Sequence, residues 1–186
     1  MESPQPAAVP VKAFGSAASR QIAFAAAYDE YHRRALHVAG LLHGNRAEAE
    51  DAVAEAFARI WRRYRHTDIE ALWPYLRASL LNDFRSGLRR KALERREIER
   101  AKTQGVFETT GSISKVGPRE LMVQALRQLP PRQRAAVVLR YFDDLTEEQT
   151  AEVLGCSVGT VKSSVFRGLE KLRTILGEDF AREEIR

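Results

Sequence analysis

One stretch limits the folding choices of this 186-residue chain more than any other: TEEQTAEVLGCSVGTVKSSVFRGLEKLR, from Thr146 to Arg173. Thr146 can cap a helix, and Gln149, three residues on, completes the reciprocal capping pattern. Glu147 and Glu148 sit in the first turn, where the helix dipole favours negative charge. Ala151 and Leu154 are spaced to face inward. Gly155 then allows the left-handed backbone that a sharp turn needs, and Ser157 caps a second helix. On that helix Val158, Val161, Val165, Leu169 and Leu172 fall on one apolar stripe. The stretch therefore predicts two short helices pinched around a glycine.

The opposite face of the second helix carries Thr160, Ser163, Ser164, Arg167 and Lys171, with Lys162 on its flank. Small hydroxyls let a helix approach a groove closely. Hydroxyls and arginine can bond base edges, and long cations neutralise phosphates. This is the pattern of a helix-turn-helix whose second member enters the major groove. An ordinary helical hairpin with a solvated polar face is the alternative at this point.

The first half is also helical by periodicity but differs in character. Phe24, Tyr28, Tyr31, Ala35, Val38 and Leu42 recur at three- and four-residue steps, with Gly44 as a stop. Asn45 opens a second helix with Glu48 as its capping partner. Ala49, Ala52, Val53, Ala56, Phe57, Ile60, Trp61 and Tyr64 form its apolar face. Pro74 suits the first turn of a third helix, which buries Leu76, Leu80, Phe84 and Leu88 and runs into the basic segment RSGLRRKALERR. Period is lost in AKTQGVFETTGSISKVG, which reads as a flexible linker. It returns near Pro118, with Leu121, Ala125, Leu126 and Leu129 on one helix and Pro131 opening the next. The expected organisation is all-α: a leader over 1–19, a helical bundle over 20–100, a linker over 101–117, a helix-turn-helix domain over 118–176 and a tail over 177–186.

Composition narrows the partners. The net charge of +5 permits an anionic ligand, although basic charge alone does not specify nucleic acid. The single cysteine, Cys156, excludes an internal disulfide framework and fits a reducing, cytoplasmic setting. No apolar run is long enough to suggest a transmembrane helix, and no membrane partner is expected. His32, His37, His43 and His66 lack the spacing of a shared metal face, so no metal is expected. No Walker loop or nucleophile elbow is present, and neither a catalytic residue nor a cofactor is assigned.

The segments AEAEDAVAEAFARIWRRY and WPYLRASLLNDFRSGLRR, followed by the linker and LRQLPPRQRAAVVLRYFDDLTEEQTAEVLGCSVGTVKSSVFRGLEKLR, together resemble bacterial sigma factors of the extracytoplasmic-function group, most of all actinobacterial members. The resemblance spans about Ala23 to Leu176. It implies a non-enzymatic specificity subunit that binds core RNA polymerase and promoter DNA. The first bundle would dock on the beta-prime clamp helices and open the minus-ten element. The last domain would read the minus-thirty-five element and touch the beta flap. Glu48, Asp51, Glu55, Arg59 and Arg62 line the expected polymerase stripe; Ala54 stands where the family pattern has glutamine. Trp73, Asn82, Arg85, Arg89 and Arg90 are expected at the minus-ten element, Asn82 reading a flipped base edge. Ser157, Thr160, Lys162, Ser163, Ser164, Arg167 and Lys171 are expected at the minus-thirty-five duplex. An anti-sigma factor is a further candidate partner. The competing readings are a stand-alone helix-turn-helix regulator and a helical interaction module such as a sigma antagonist.

Overall fold

The computed structural model describes residues 17–63, 72–101 and 117–177. Most of the expected leader, the linker, most of the tail, Tyr64 and His66 lie outside them. Among the described residues all regular structure is helical. Three helices precede the linker: α1 (Ala17–His43), α2 (Arg46–Arg63) and α3 (Leu72–Ala101). Four follow it: α4 (Pro118–Arg127), α5 (Pro131–Tyr141), α6 (Glu147–Leu154) and α7 (Val158–Leu176). Helix α1 begins inside the stretch expected to be leader.

The first three helices pack mutually, joining Val38 and Leu42 of α1 to Val53, Ala56 and Ile60 of α2 and to Leu72, Leu76 and Leu80 of α3. Each large aliphatic buried this way is worth about 1.5–3 kcal/mol relative to exposure. Asn45 caps α2 as expected, its Oδ1 accepting from the Ala47 and Glu48 amides at 2.9 and 3.4 Å. Glu48 does not close the capping box. Its carboxylate instead accepts from Lys91 Nζ at 2.7 and 2.8 Å, tying α2 to α3.

In the second group α7 is the hub, packing on α4, α5 and α6. Its apolar stripe is rotated from the expected one. Val161, Ser164, Gly168 and Leu172 are buried, while Val165 and Leu169 are only half-buried. The rotation follows from Gly168, which lets α7 lie directly against Val137 of α5. On α4, Met122 is buried and Leu121 is exposed, one position off the expected face.

The two groups share one continuous hydrophobic core, because α1 also packs on α4 and α5. Arg134 of α5 donates to the Leu42 carbonyl at 2.7 Å and to the Arg127 carbonyl at 2.8 Å. It thereby satisfies the end of α1 from the other half of the chain.

Candidate nucleic-acid interface

The turn before α7 is built by local chemistry. Thr146 and Gln149 form the reciprocal capping box, with nitrogen–oxygen distances of 2.9 and 3.2 Å. Gly155 closes α6 at φ 64°, in the left-handed region. Ser157 Oγ accepts the Thr160 amide at 3.2 Å and lies 2.9 Å from the Thr160 hydroxyl. These two hydroxyls therefore hold the start of α7 as well as standing near its outer face. Ser163 is exposed, its hydroxyl donating to the Thr160 carbonyl at 3.1 Å. Arg167 and Lys171 are exposed and form no ion pair among the described residues. Lys162 is exposed but engaged with Glu147 at 3.3 Å, which joins the two helices of the motif.

Ser164 corrects the expected outer face. It is buried because it lies three residues after Val161 and four before Gly168, on the stripe that meets α5. Phe166 was not among the residues expected on the outer face of α7. It is 61% exposed beside Arg167, a large apolar ring on a face otherwise polar. The signal was its position outside the valine–leucine stripe.

On α3 the expected minus-ten residues divide. Asn82, Arg89 and Arg90 are exposed; Arg89 donates to Ser86 Oγ at 2.9 Å. Arg85 points to the other half of the chain, donating to the Leu154 carbonyl at 3.3 Å. Trp73 is buried, contrary to a DNA-stacking surface in this arrangement. Its indole N–H donates to Asp143 Oδ1 at 2.9 Å, and the Arg34 guanidinium lies 4.3 Å from its ring centroid. Leu80 and Leu81 are both buried, so the LLND segment presents Asn82 alone outward, with Asp83 half-buried near His43.

On α2, Asp51, Glu55 and Arg62 share an exposed side, with Arg62 paired to Glu55 at 2.9 Å. Arg59 departs from the expected stripe: its Nε and Nη2 are buried without a hydrogen-bond partner. Trp61, expected in the core, is 50% exposed. With Phe24, Tyr28 and Phe57 it lines a shallow apolar groove between α1 and α2.

No helix among the described residues is long and apolar enough to cross a membrane. None of their His, Cys, Asp and Glu side chains gather into a group able to hold a metal.

Known proteins carry the same two blocks in the same order. Residues 27–94 match the Sigma-70 region 2 family and residues 119–172 match Sigma-70, region 4. The chain is 34% identical over 127 residues to an RNA polymerase sigma-E factor of Streptomyces antibioticus, covering 68% of this chain and 69% of that one. It is 32% identical over 167 residues to the ECF sigma factor SigW of Bacillus subtilis, covering 82% and 88%. In fold it resembles the Bartonella quintana sigma factor RpoE, solved with the anti-sigma factor NepR. That likeness has a TM-score of 0.57 at 23% identity and covers 87% of this chain and 96% of that one. The chain belongs to the sigma-70 family of RNA polymerase initiation factors, within its extracytoplasmic-function group. As such it binds core RNA polymerase and promoter DNA, directs transcription initiation and is not an enzyme. A stand-alone regulator would leave residues 27–94 without a purpose.

Proposed function

We propose that α7 reads the minus-thirty-five duplex, α3 engages the minus-ten element as it opens, and α2 docks on the polymerase clamp. The observation that carries this reading is the outward side of α7. There Ser163, Phe166, Arg167 and Lys171 stand exposed directly after a capped glycine turn. Arginine can bond guanine edges, a phenyl ring can contact a thymine methyl, and lysine meets phosphates. Asn82 is the exposed amide on α3, flanked by arginines that can follow a strand's backbone. Asp51, Glu55 and Arg62 give α2 a charged side for the beta-prime clamp helices, and the second domain would also touch the beta flap.

The corresponding domains are 20–100 and 118–176, a division supported by the matched spans 27–94 and 119–172. Opening would need no ATP, since preferential binding of unpaired bases shifts the duplex toward the open state. The site of action is the cytoplasm, where RNA polymerase works. An anti-sigma factor is a fitting regulator, because the similarly folded Bartonella quintana sigma factor RpoE was captured with one.

The test is promoter-mapped transcription with core polymerase and the purified chain. Start sites dependent on this chain, downstream of paired minus-thirty-five and minus-ten elements, support the assignment. Initiation that does not depend on the upstream duplex would remove α7 from its role.

A further inference from the structure

His43 ends α1 with its ring between two carboxylates from two other helices. Its Nδ1 lies 3.6 Å from Glu48 Oε2 of α2, and its Nε2 lies 3.8 Å from Asp83 Oδ2 of α3. The ring is dry, with 6% of its side chain exposed, and it meets the Phe84 ring edge-on at 5.7 Å. Nε2 is buried without a hydrogen-bond partner. The Asp83 side chain is more open, at 27% exposure, and it directly follows the exposed Asn82.

A neutral imidazole carries a proton on one nitrogen and a lone pair on the other. Between two carboxylates, one nitrogen of the neutral ring always turns that lone pair toward a negative oxygen. The protonated ring has no such conflict, since both nitrogens donate. Both separations exceed hydrogen-bond length, as suits a neutral ring held off by its neighbours. Burial is the main cause that favours the neutral form, and Lys91 adds to it; Asp83 and Glu48 oppose it.

Other charges stand around the ring. Lys91 Nζ pairs with Glu48 at 2.7 and 2.8 Å. From the second half of the chain, Arg134 donates to the adjoining Leu42 carbonyl and the Arg127 stem lies against Gly44. Asp83 forms no ion pair with a lysine or arginine among the described residues. With His43 neutral, Asp83 is therefore an uncompensated negative charge beside Asn82.

The role assigned to α3 puts that charge where an anionic strand must lie, and like charges repel. A proton on His43 turns the 3.8 Å contact into a charge-assisted bond and cancels the charge. The arriving strand, itself negative, favours the same proton. By linkage, whatever the proton does for strand binding the strand does for proton binding.

We propose that His43 is a positioning residue for promoter opening: it takes up a proton as the unpaired strand arrives, draws Asp83 into a pair and so relieves the repulsion beside Asn82. The proposal rests on the assignment of α3 to the minus-ten element. Its consequence is an opening step that quickens in mildly acidic solution.

The test measures open-complex formation by the polymerase holoenzyme from about pH 8 to about pH 6, the range over which an imidazole titrates. Each wild-type rate is divided by that of His43→Gln holoenzyme at the same pH, which cancels the polymerase's own pH response. This ratio should rise about fivefold or more toward acid. Asp83→Asn should open the promoter faster than wild type at the alkaline end and lose the acid rise. That variant decides the matter even where His43→Gln folds poorly. A flat ratio, or Asp83→Asn no faster than wild type at the alkaline end, overturns the proposal. With Asn82→Ala still slow in opening, such a result leaves the assignment of α3 standing; with Asn82→Ala opening normally, the assignment falls as well.

Discussion

Gly168 of α7 lies so close to α5 that a methyl group on it would come within 2.7 Å of Val137 Cγ2. Val137 is fully buried, so it has little room to move aside. Gly168→Ala should therefore destabilise the second domain, although alanine is the better helix former by about 1 kcal/mol. Overpacking of this kind costs about 1–3 kcal/mol. Denaturant unfolding of the variant checks it, and a gain in stability would show that α5 and α7 can slide apart freely.

Arg167→Glu replaces an exposed cation at the centre of the proposed DNA-facing side of α7. Loss of one base contact is worth about 1–3 kcal/mol, before the added repulsion from phosphates. Promoter binding should fall roughly 10- to 100-fold or further, while association with core polymerase is retained. Equal loss of both, measured by mobility shift and by polymerase pull-down, would contradict the division of roles between the domains.

Phe166→Ala should weaken minus-thirty-five binding about fivefold, the equivalent of about 1 kcal/mol of lost apolar contact. Because the ring is exposed in the free protein, thermal stability should not change. A stability loss with normal DNA binding would mean that the ring packs internally.

Asn82→Ala should slow promoter opening roughly 2- to 10-fold, as expected for one hydrogen bond worth about 1 kcal/mol, with little effect on duplex binding. Stopped-flow fluorescence from a base analogue in the minus-ten element reads this step. Unaltered opening kinetics would exclude Asn82 from strand capture.

Stability should depend on His43 between neutral and mildly acidic pH. Burial lowers its pKa, opposed by Asp83 and Glu48 and reinforced by Lys91. The unfolded chain takes the proton more readily, so the stability tied to neutral His43 is fully present above about pH 6.5 and is lost as pH falls toward the folded value. His37 acts in the same direction, through burial and then Arg119. Glu48 acts in a lower window. Burial raises its pKa, but Lys91 and His43 outweigh that and hold it below the ordinary value, so its contribution is lost only in more acidic solution. Urea midpoints of the wild type should drop from pH 7.5 to 5.5, and His43→Asn with His37→Asn should flatten that slope. A slope unmoved by the double substitution would assign it elsewhere.

What the sequence determined by itself was whatever rests on bonds between near neighbours. The Thr146–Gln149 capping box, the left-handed Gly155, the Ser157 cap and the Asn45 cap each join residues within three or four positions, and each stands as read. The order of helices was legible for the same reason, since apolar spacing reports which side of a helix is dry. Tertiary structure decided what depends on partners far along the chain. Ser164 is buried because Gly168 draws α7 onto α5, and Trp61 is half exposed because, among the described residues, no helix covers that edge of the groove between α1 and α2. Trp73 and Asp143, 70 residues apart, meet only because the two halves close on one another. Neither residue's local pattern differs from that of a core tryptophan or a turn aspartate. Helix periodicity encodes a direction toward a core, but the buried ion cluster needs three elements to converge in space, and no local spacing specifies that convergence.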